Sequence, residues 1–299
     1  MSKRIMNTKE LSAYLGINEK KIYTLITEKK LPATKVTGKW IFLKDMVDDW
    51  LERSSGEKPY IKESKDVLMI TGSDDILFNR LITIMRKQFP EIFPFFCKTG
   101  SLKGLFVLKD GKAHMAGSHL LDEESKEYNL PFIDSYLKEY HIVTVNFAKR
   151  EQGILIKKGN PKKIKSFEDI ARNDIRCINR QKGSGTRKLL DVFIKKFGIS
   201  SKSIDGYNKE VTTHLEVGLN VLNNEVDFGL GIKAAAKMLD IDFIPLVKER
   251  FDIIIFKELF FSQQVQKFLG ILRSPQFKKI AKGLRGYDTR DSGKIIYDS

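Results

Sequence analysis

The sequence predicts an α/β protein in two parts: a small winged helix-turn-helix, then a two-lobed body with a two-strand hinge. Three observations carry this expectation. The first fifty residues hold two short helical patterns split by "LGIN" and followed by a hairpin pattern. From Val67 onward, short apolar runs ending in Gly or Ser alternate with amphipathic helical patterns, as in a mostly parallel sheet covered by helices on both faces. Two pairs of extended runs, in "YHIVTVNFAKREQGILIKKGNP" and "DFIPLVKERFDIIIF", leave no room for a helix between them. They read as strands crossing between lobes.

Composition narrows the class. The apolar fraction of 41% and charged fraction of 30% suit an ordinary globular protein. No apolar run approaches the roughly 18 residues of a membrane-spanning helix, and "MSKRIMNTKELSAYLG" lacks the apolar core of a signal peptide. The expected location is therefore the cytoplasm, with no membrane partner. Cys97 and Cys177 are too far apart for zinc-type spacing and read as buried, reduced thiols. The histidines are scattered, so neither a metal nor a cofactor is expected. The net charge of +15 suggests a polyanionic partner, nucleic acid first. Residues 1–60 hold 12 Lys+Arg against 8 Asp+Glu, and the remainder 41 against 30, so the basic excess runs along the whole chain.

Within residues 1–53, Asn7 followed by Glu10 is a capping-box start, and Leu11, Tyr14 and Leu15 form an apolar stripe. Gly16 ends this helix. Asn18 caps a second one, in which Ile22, Leu25 and Ile26 point inward and Lys20, Lys21, Tyr23 and Thr24 face out. Such a second helix fits a major groove. Pro32 stops it, and "TKVTGKWIFL" makes two strands about Thr37-Gly38, a wing that offers Lys35 and Lys39 to phosphates. Met46, Val47, Trp50 and Leu51 give a third helix that closes the core. "TKELSAYLGINEKKIYTLITEKKLPATKVTGKWIF" resembles the excisionase/MerR-type winged helix-turn-helix family. The resemblance implies binding to double-stranded DNA, with Lys20, Lys21, Tyr23 and Thr24 on the recognition helix and Lys39 and Trp40 on the wing. That family often carries arginine on the recognition helix; this chain has Glu19, Lys20 and Lys21, which suit phosphate affinity more than bidentate base reading.

"RSSGEKPYIKESKD" has no apolar period and reads as a linker over 54–66. In the body, 67–299, lobe 1 is expected over about 67–145 and 255–299 and lobe 2 over about 150–245, the layout of a hinged, cleft-closing binder. Four strand-to-helix turns carry glycine or hydroxyl residues: Thr71–Ser73, Lys98–Ser101, Lys182–Arg187 and Thr212–His214. Each can present free backbone N–H groups at a helix start, with hydroxyls as neutral donors, although any one of them is also an ordinary capped turn. Converging on one cleft, they would surround a small oxyanion. "QKGSGTRK" is not a P-loop, because Gly183 and Gly185 are too close and Thr186-Arg187 stands where Lys-Ser/Thr is required. G-x-S-x-G is absent, and no acid–base pair or activated nucleophile stands beside the turns, so no enzyme is expected. Asp74 and Asp75 read as caps of the helix that follows.

"NRQKGSGTRKLLD", "VTTHLEVGLNVLNNEVDFGLGIKAAAKMLDIDFIPLVKERFDIII" and "MAGSHLLD" resemble the PBP-like domain family, relatives of type II periplasmic substrate-binding proteins, over roughly residues 67–285. The family's fusion to DNA-binding and molybdopterin-biosynthesis domains implies molybdate or tungstate as ligand. Residues at the matching turns are Ser73, Thr99, Ser101, Ser118, Ser184, Thr186, Arg187, Thr213 and His214. The resulting expectation is a homodimeric one-component transcription regulator that senses a small oxyanion. The alternatives are an enzyme or accessory protein of molybdenum-cofactor metabolism, a sensor of an organic anion, and a ligand-free protein-binding scaffold.

Overall fold

A computed structural model describes residues 4–28, 31–54 and 66–299, and the chain forms two compact units, Met1–Tyr60 and Ile61–Ser299. The linker expected at 54–66 lies, apart from its two end residues, outside the described residues.

In the first unit the order is β1 (Ile5–Asn7), α1 (Thr8–Leu15), α2 (Glu19–Glu28), β2 (Thr34–Val36), β3 (Lys39–Leu43) and α3 (Lys44–Ser54). Asn7 and Glu10 close a reciprocal capping box on α1, and Gly16 ends that helix at φ 65° in the left-handed region. The Asn18 side chain accepts from the Lys21 N–H at 2.8 Å and so caps α2. The hairpin pairs Lys35 with Trp40 and Val36 with Lys39, and turns through Thr37 and Gly38, both at positive φ. Strand β1 adds to the far side of β3, giving the order β1-β3-β2. Three residues are too few for a period-two pattern, which is why no strand was expected there. Met6, Leu11, Ile22, Leu31, Phe42 and Val47 form the core. Tyr14, Met46 and Leu51 lie outside it; Tyr14 instead donates to Asp48 at 2.7 Å under the Lys44 ammonium.

The second unit runs β4 (Val67–Gly72), α4 (Ile76–Gln88), β5 (Phe93–Cys97), α5 (Ser101–Lys109), β6 (Met115–Ser118), α6 (Leu130–Tyr136) and β7 (Ile142–Ile156). It continues with β8 (Cys177–Arg180), α7 (Gly185–Lys196), β9 (Glu210–Val211), α8 (His214–Leu222), β10 (Phe228–Ile232), α9 (Lys233–Leu239) and β11 (Asp242–Phe256). The chain closes with α10 (Lys257–Phe260), α11 (Gln263–Arg273), α12 (Pro275–Leu284), β12 (Tyr287–Asp288) and β13 (Ile295–Asp298). One curled sheet has the order β5-β4-β6-β11-β7-β10-β8-β9, with β12 and β13 added along β7.

β7 and β11 are the hinge. Each is one continuous 15-residue strand where the sequence suggested two extended runs, and they pair antiparallel from Ile142–Phe256 to Ile156–Asp242. The register slips between Pro245 and Val247 and again between Phe251 and Asp252. These slips bracket the stretch where the strands pass from lobe to lobe; proline, lacking an N–H, cannot complete the ladder there. Lobe 1 is packed around Phe78, Phe147, Phe251 and Phe268, and lobe 2 around Ile154, Ile170, Phe228 and Leu190. Cys177 is buried but Cys97, at the end of β5, is exposed, contrary to the burial expected of both.

Candidate functional site

Strands β4, β5, β8 and β9 all end at the lobe junction, and the four glycine- and hydroxyl-bearing turns meet there. Gly100 N–H donates to the Gly72 carbonyl at 3.0 Å within lobe 1. Across the cleft, Leu102 N–H donates to the Gly183 carbonyl at 3.2 Å, and His214 N–H donates to the Asp74 carboxylate at 3.0 Å. The lobes are thus in direct contact, and the closed arrangement is held by the protein's own atoms.

Most hydroxyls of the turns have protein partners. Ser73 Oγ lies 2.8 Å from His119 Nε2, and Ser101 Oγ accepts from the His119 N–H at 3.3 Å. Thr99 Oγ1 lies 2.8 Å from the Thr71 hydroxyl and accepts from the Gly72 N–H at 3.2 Å. Ser184 is the N-cap of α7, accepting from the Arg187 N–H at 3.1 Å. Thr213 caps α8 through a capping box with Glu216. Thr186 Oγ1 accepts from Gln152 Nε2 at 3.1 Å. Arg187 pairs with Glu210 at 3.0 Å and lies over the Tyr207 ring, 4.1 Å from its centroid. Ser118 Oγ and both ring nitrogens of His214 are buried without a hydrogen-bond partner.

Beneath the turns lies a buried ionic network that the sequence reading did not single out. Arg150, on β7, donates through Nε to Glu249 at 2.5 Å and through Nη1 to Asp75 at 2.6 Å. Glu249, on β11, also accepts from Gln152 Nε2 at 2.9 Å and pairs with His119 Nδ1 at 2.9 Å. Burial alone would raise the Glu249 carboxyl, but the Arg150 and His119 side chains outweigh it and hold it down at about 2. Burial keeps the His119 imidazole below its ordinary value despite Glu249, so the ring is neutral, with Nδ1–H donating to Glu249 and Nε2 accepting from Ser73. Asp75 caps α4, accepting from the Phe78 N–H at 2.7 Å, and receives the Tyr287 hydroxyl at 2.8 Å. Asp74 does not cap; it reaches across the cleft to His214 and takes the Lys98 ammonium at 2.9 Å. Arg180 ends β8 and donates through Nη2 to the Thr212 carbonyl at 2.8 Å; burial lowers its guanidinium to about 10. A signal for these residues exists in hindsight: "KRE" and "KER" are charged triplets inside otherwise apolar strands, where an unpaired charge is not tolerated.

Beside the junction a groove of about 450 Å³ runs between Leu102, Leu120 and Phe132 of lobe 1 and Lys182, Arg187 and Tyr207 of lobe 2. Among the described residues no His, Cys, Asp and Glu group could hold a metal ion, and no helix is long and apolar enough to cross a membrane.

In the first unit Lys20, Lys21 and Tyr23 are exposed along α2, and Thr24, half-buried, returns its hydroxyl to the Lys20 carbonyl at 3.4 Å. Lys35 and Lys39 are exposed on the wing, whereas Trp40 packs against the core with the Lys35 ammonium 5.7 Å from its ring. The structure therefore places six of these side chains, Lys20, Lys21, Tyr23, Thr24, Lys35 and Lys39, on α2 and the wing and gives Trp40 a packing role as well.

The profile of the PBP superfamily domain matches residues 83–273, and that of a helix-turn-helix domain matches residues 5–55. The chain is 30% identical to the Bacillus subtilis (strain 168) protein YvgK, over 97% of each chain. A phosphate ABC transporter substrate-binding protein with bound phosphate from Clostridium perfringens shares the fold with a TM-score of 0.55 at 14% identity, covering 73% of this chain and 98% of its own. The tungstate ABC transporter protein of Geobacter sulfurreducens does so with a TM-score of 0.52 at 15% identity, covering 74% and 100%. The order of fold elements, the hinge of two long strands and the junction of helix starts have one common explanation: the chain belongs to the PBP superfamily domain family, carries an excisionase-type helix-turn-helix domain in front of it, and is a relative of YvgK.

Proposed function

We propose that this protein is a cytoplasmic one-component transcription regulator. Its helix-turn-helix, 1–53, binds a double-stranded DNA operator as a homodimer through Lys20, Lys21, Tyr23, Thr24, Lys35, Lys39 and Trp40. Beyond a linker at 54–66, the body at 67–299 senses a small oxyanion, molybdate or tungstate first. The observation that carries this reading is the meeting of four helix-start turns, from both lobes, at one hinge-backed junction. Ligand at such a junction contacts both lobes at once, so its binding energy depends on their separation, as a conformational switch requires. Residues at or beside that junction are Ser73, Thr99, Ser101, Ser118, Ser184, Thr186, Arg187, Thr213 and His214; those whose hydroxyls now bond within the protein would act through backbone N–H groups or after a side-chain turn. The neighbours of this fold are named for phosphate and tungstate, which supports a tetrahedral anion without choosing one. Among the described residues no group could hold a metal ion; Ser73 bonds to His119 and through it to Glu249, but all three side chains are buried, so a binding role suits the turns better than catalysis.

An organic anion is the second reading. It is favoured by the groove of about 450 Å³, far larger than one oxyanion, with Phe132 and Tyr207 beside Lys182 and Arg187. Thermal-shift titration of the full chain with molybdate, tungstate, sulfate, phosphate and a set of carboxylates separates the two. Stabilisation by tetrahedral oxyanions alone supports the first reading, stabilisation by carboxylates alone the second, and stabilisation by none contradicts both.

A further inference from the structure

The junction contains strong donors that its own bonds do not use. Arg180, 1% exposed, spends Nη2 on the Thr212 carbonyl and Nε on Gln181, and its Nη1 has no partner. Arg150, equally buried, spends Nε and Nη1, and its Nη2 has none. His214 is fully buried with both ring nitrogens unused. The two guanidiniums bear electrostatically on each other and on the His214 imidazole, and the Asp74 carboxylate bears on Arg180. Thr212 holds the Arg180 guanidinium one residue before the α8 cap, His214 opens α8, and Arg150 Nη1 reaches the Asp74 carbonyl at 3.4 Å. At the α8 start itself stands the Asp74 carboxylate from the opposite lobe, accepting from the His214 N–H at 3.0 Å and from the Lys98 ammonium at 2.9 Å. Buried guanidinium donors without acceptors are costly, and a helix start is a natural anion position.

We propose that the start of α8, with Arg180, Arg150 and His214, is the seat of the effector oxyanion, and that Asp74 is its built-in occupant, displaced when the effector binds. The inference rests on the sensor reading above and assigns its binding groups. Charge supports the exchange. Arg150, Arg180 and Lys98 are balanced by Asp74, Asp75 and Glu249, while burial keeps His119 and His214 uncharged. An anion added to this balanced cluster would meet a repelling carboxylate. Once Asp74 swings away, one positive charge is left over to face the incoming anion. Geometry supports it too. A carboxylate offers two oxygens, and a tetrahedral oxyanion offers four, enough for the α8 amide and the unused N–H groups of Arg180, Arg150 and His214. Ligand recognition thus becomes an exchange of an internal acid for an external one, which frees the Asp74 side of the cleft.

The test is calorimetric titration of the full chain with sodium molybdate, tungstate, sulfate and phosphate, for the natural sequence, Asp74→Asn, Arg180→Gln and the double variant. Asparagine keeps an acceptor oxygen for the His214 N–H but removes the charge. Asp74→Asn should tighten at least one of these anions tenfold or more, and adding Arg180→Gln should reverse the gain. Equal or weaker binding by Asp74→Asn, binding of none of the four anions, or a double variant as tight as Asp74→Asn overturns the proposal. Should Asp74→Asn fail to fold, Arg180→Gln in the otherwise natural chain decides alone: a tenfold loss supports the seat and retained affinity overturns it. Operator binding with and without the same anions keeps the two claims apart. Tighter anion binding without any operator response defeats the sensor and leaves the seat, whereas an operator response indifferent to Asp74 and Arg180 does the opposite.

Discussion

Gly185→Ala tests whether the lobe contact seen here is a closed state in equilibrium with an open one. Gly185 is the first residue of α7, and a Cβ built on it would stand 2.5 to 2.9 Å from three atoms of the His119 ring in the other lobe. The ring cannot yield cheaply. Ser73 and Glu249 fix both its nitrogens, and it stacks on Phe251 with centroids 5.6 Å apart. Overpacking of this kind costs about 1–3 kcal/mol. Because His119 and Gly185 meet only across the cleft, that cost falls on the closed state alone. Within the helix alanine is favoured over glycine by up to about 1 kcal/mol, so overall stability should hardly fall. The closed population should therefore drop about 5- to 150-fold relative to the open one. Hydrogen exchange reads this directly, since the amides of Leu102 and His214 are bonded across the cleft to Gly183 and Asp74. Both should exchange faster by that factor while amides in the middle of β7 keep their rates. Unchanged protection at Leu102 and His214 would refute the argument, as would a uniform acceleration over the whole body.

Other consequences concern charge, DNA contact and the division between units. The Glu249 carboxyl, ordinarily near 4.5, is held at about 2 in the folded protein, so the unfolded chain binds its proton first and stability falls as pH drops from 4.5 towards 2. The loss is on the order of 3 kcal/mol. Chemical denaturation across that range should show it in the natural chain and not in Glu249→Gln, which is instead destabilised already at pH 7; equal acid profiles refute it. The buried imidazoles of His119 and His214, both held below 6.5, add a further decline that begins at that value in both proteins. Lys20→Ala with Lys21→Ala should weaken DNA binding and lower its logarithmic salt slope by about 2, one unit per phosphate contact, without altering anion binding. Phe42→Ala removes a fully buried ring from a six-residue core and should cost about 3–5 kcal/mol, abolishing DNA binding while the melting of the body is unchanged. A shift of both transitions together would show the units to be energetically coupled. Ser184→Ala should cost about 1 kcal/mol through the lost α7 cap, and Thr186→Ala leaves the Gln152 amide with Glu249 alone. Each should weaken the thermal shift given by oxyanions and spare DNA affinity; intact anion response in both places the ligand elsewhere.

The parts written in short-range chemistry were legible in the sequence. Asn7, Gly16 and Asn18 are local signals, and the helices they bound form where expected. The four turns were readable for the same reason, since glycine and hydroxyl residues after a strand announce a helix start. What the turns hold was not readable, because it depends on residues far apart in the chain. Arg150 meets Glu249 and Asp75 only after two strands pair and a third element packs against them, and each of these residues alone looks like a surface charge. Asp74 shows the limit most clearly. Next to Asp75 it reads as half of a capping pair, yet only Asp75 caps α4, while Asp74 crosses the cleft to a helix start 140 positions away. Short strands such as β1, β12 and β13 escaped notice because their partners, not their own pattern, make them strands.

The proposed coupling of a ligand at the lobe junction to the DNA-binding head of the same chain is the step on which the regulator depends. Its most direct test is the affinity of the purified full-length protein for an operator chosen by selection from random DNA, measured at fixed salt with and without molybdate, tungstate, phosphate and sulfate. Coupling of about 1–3 kcal/mol predicts a change of about five- to 150-fold for at least one of these anions, in either direction. Sequence-specific binding that responds to none of them would contradict the claim.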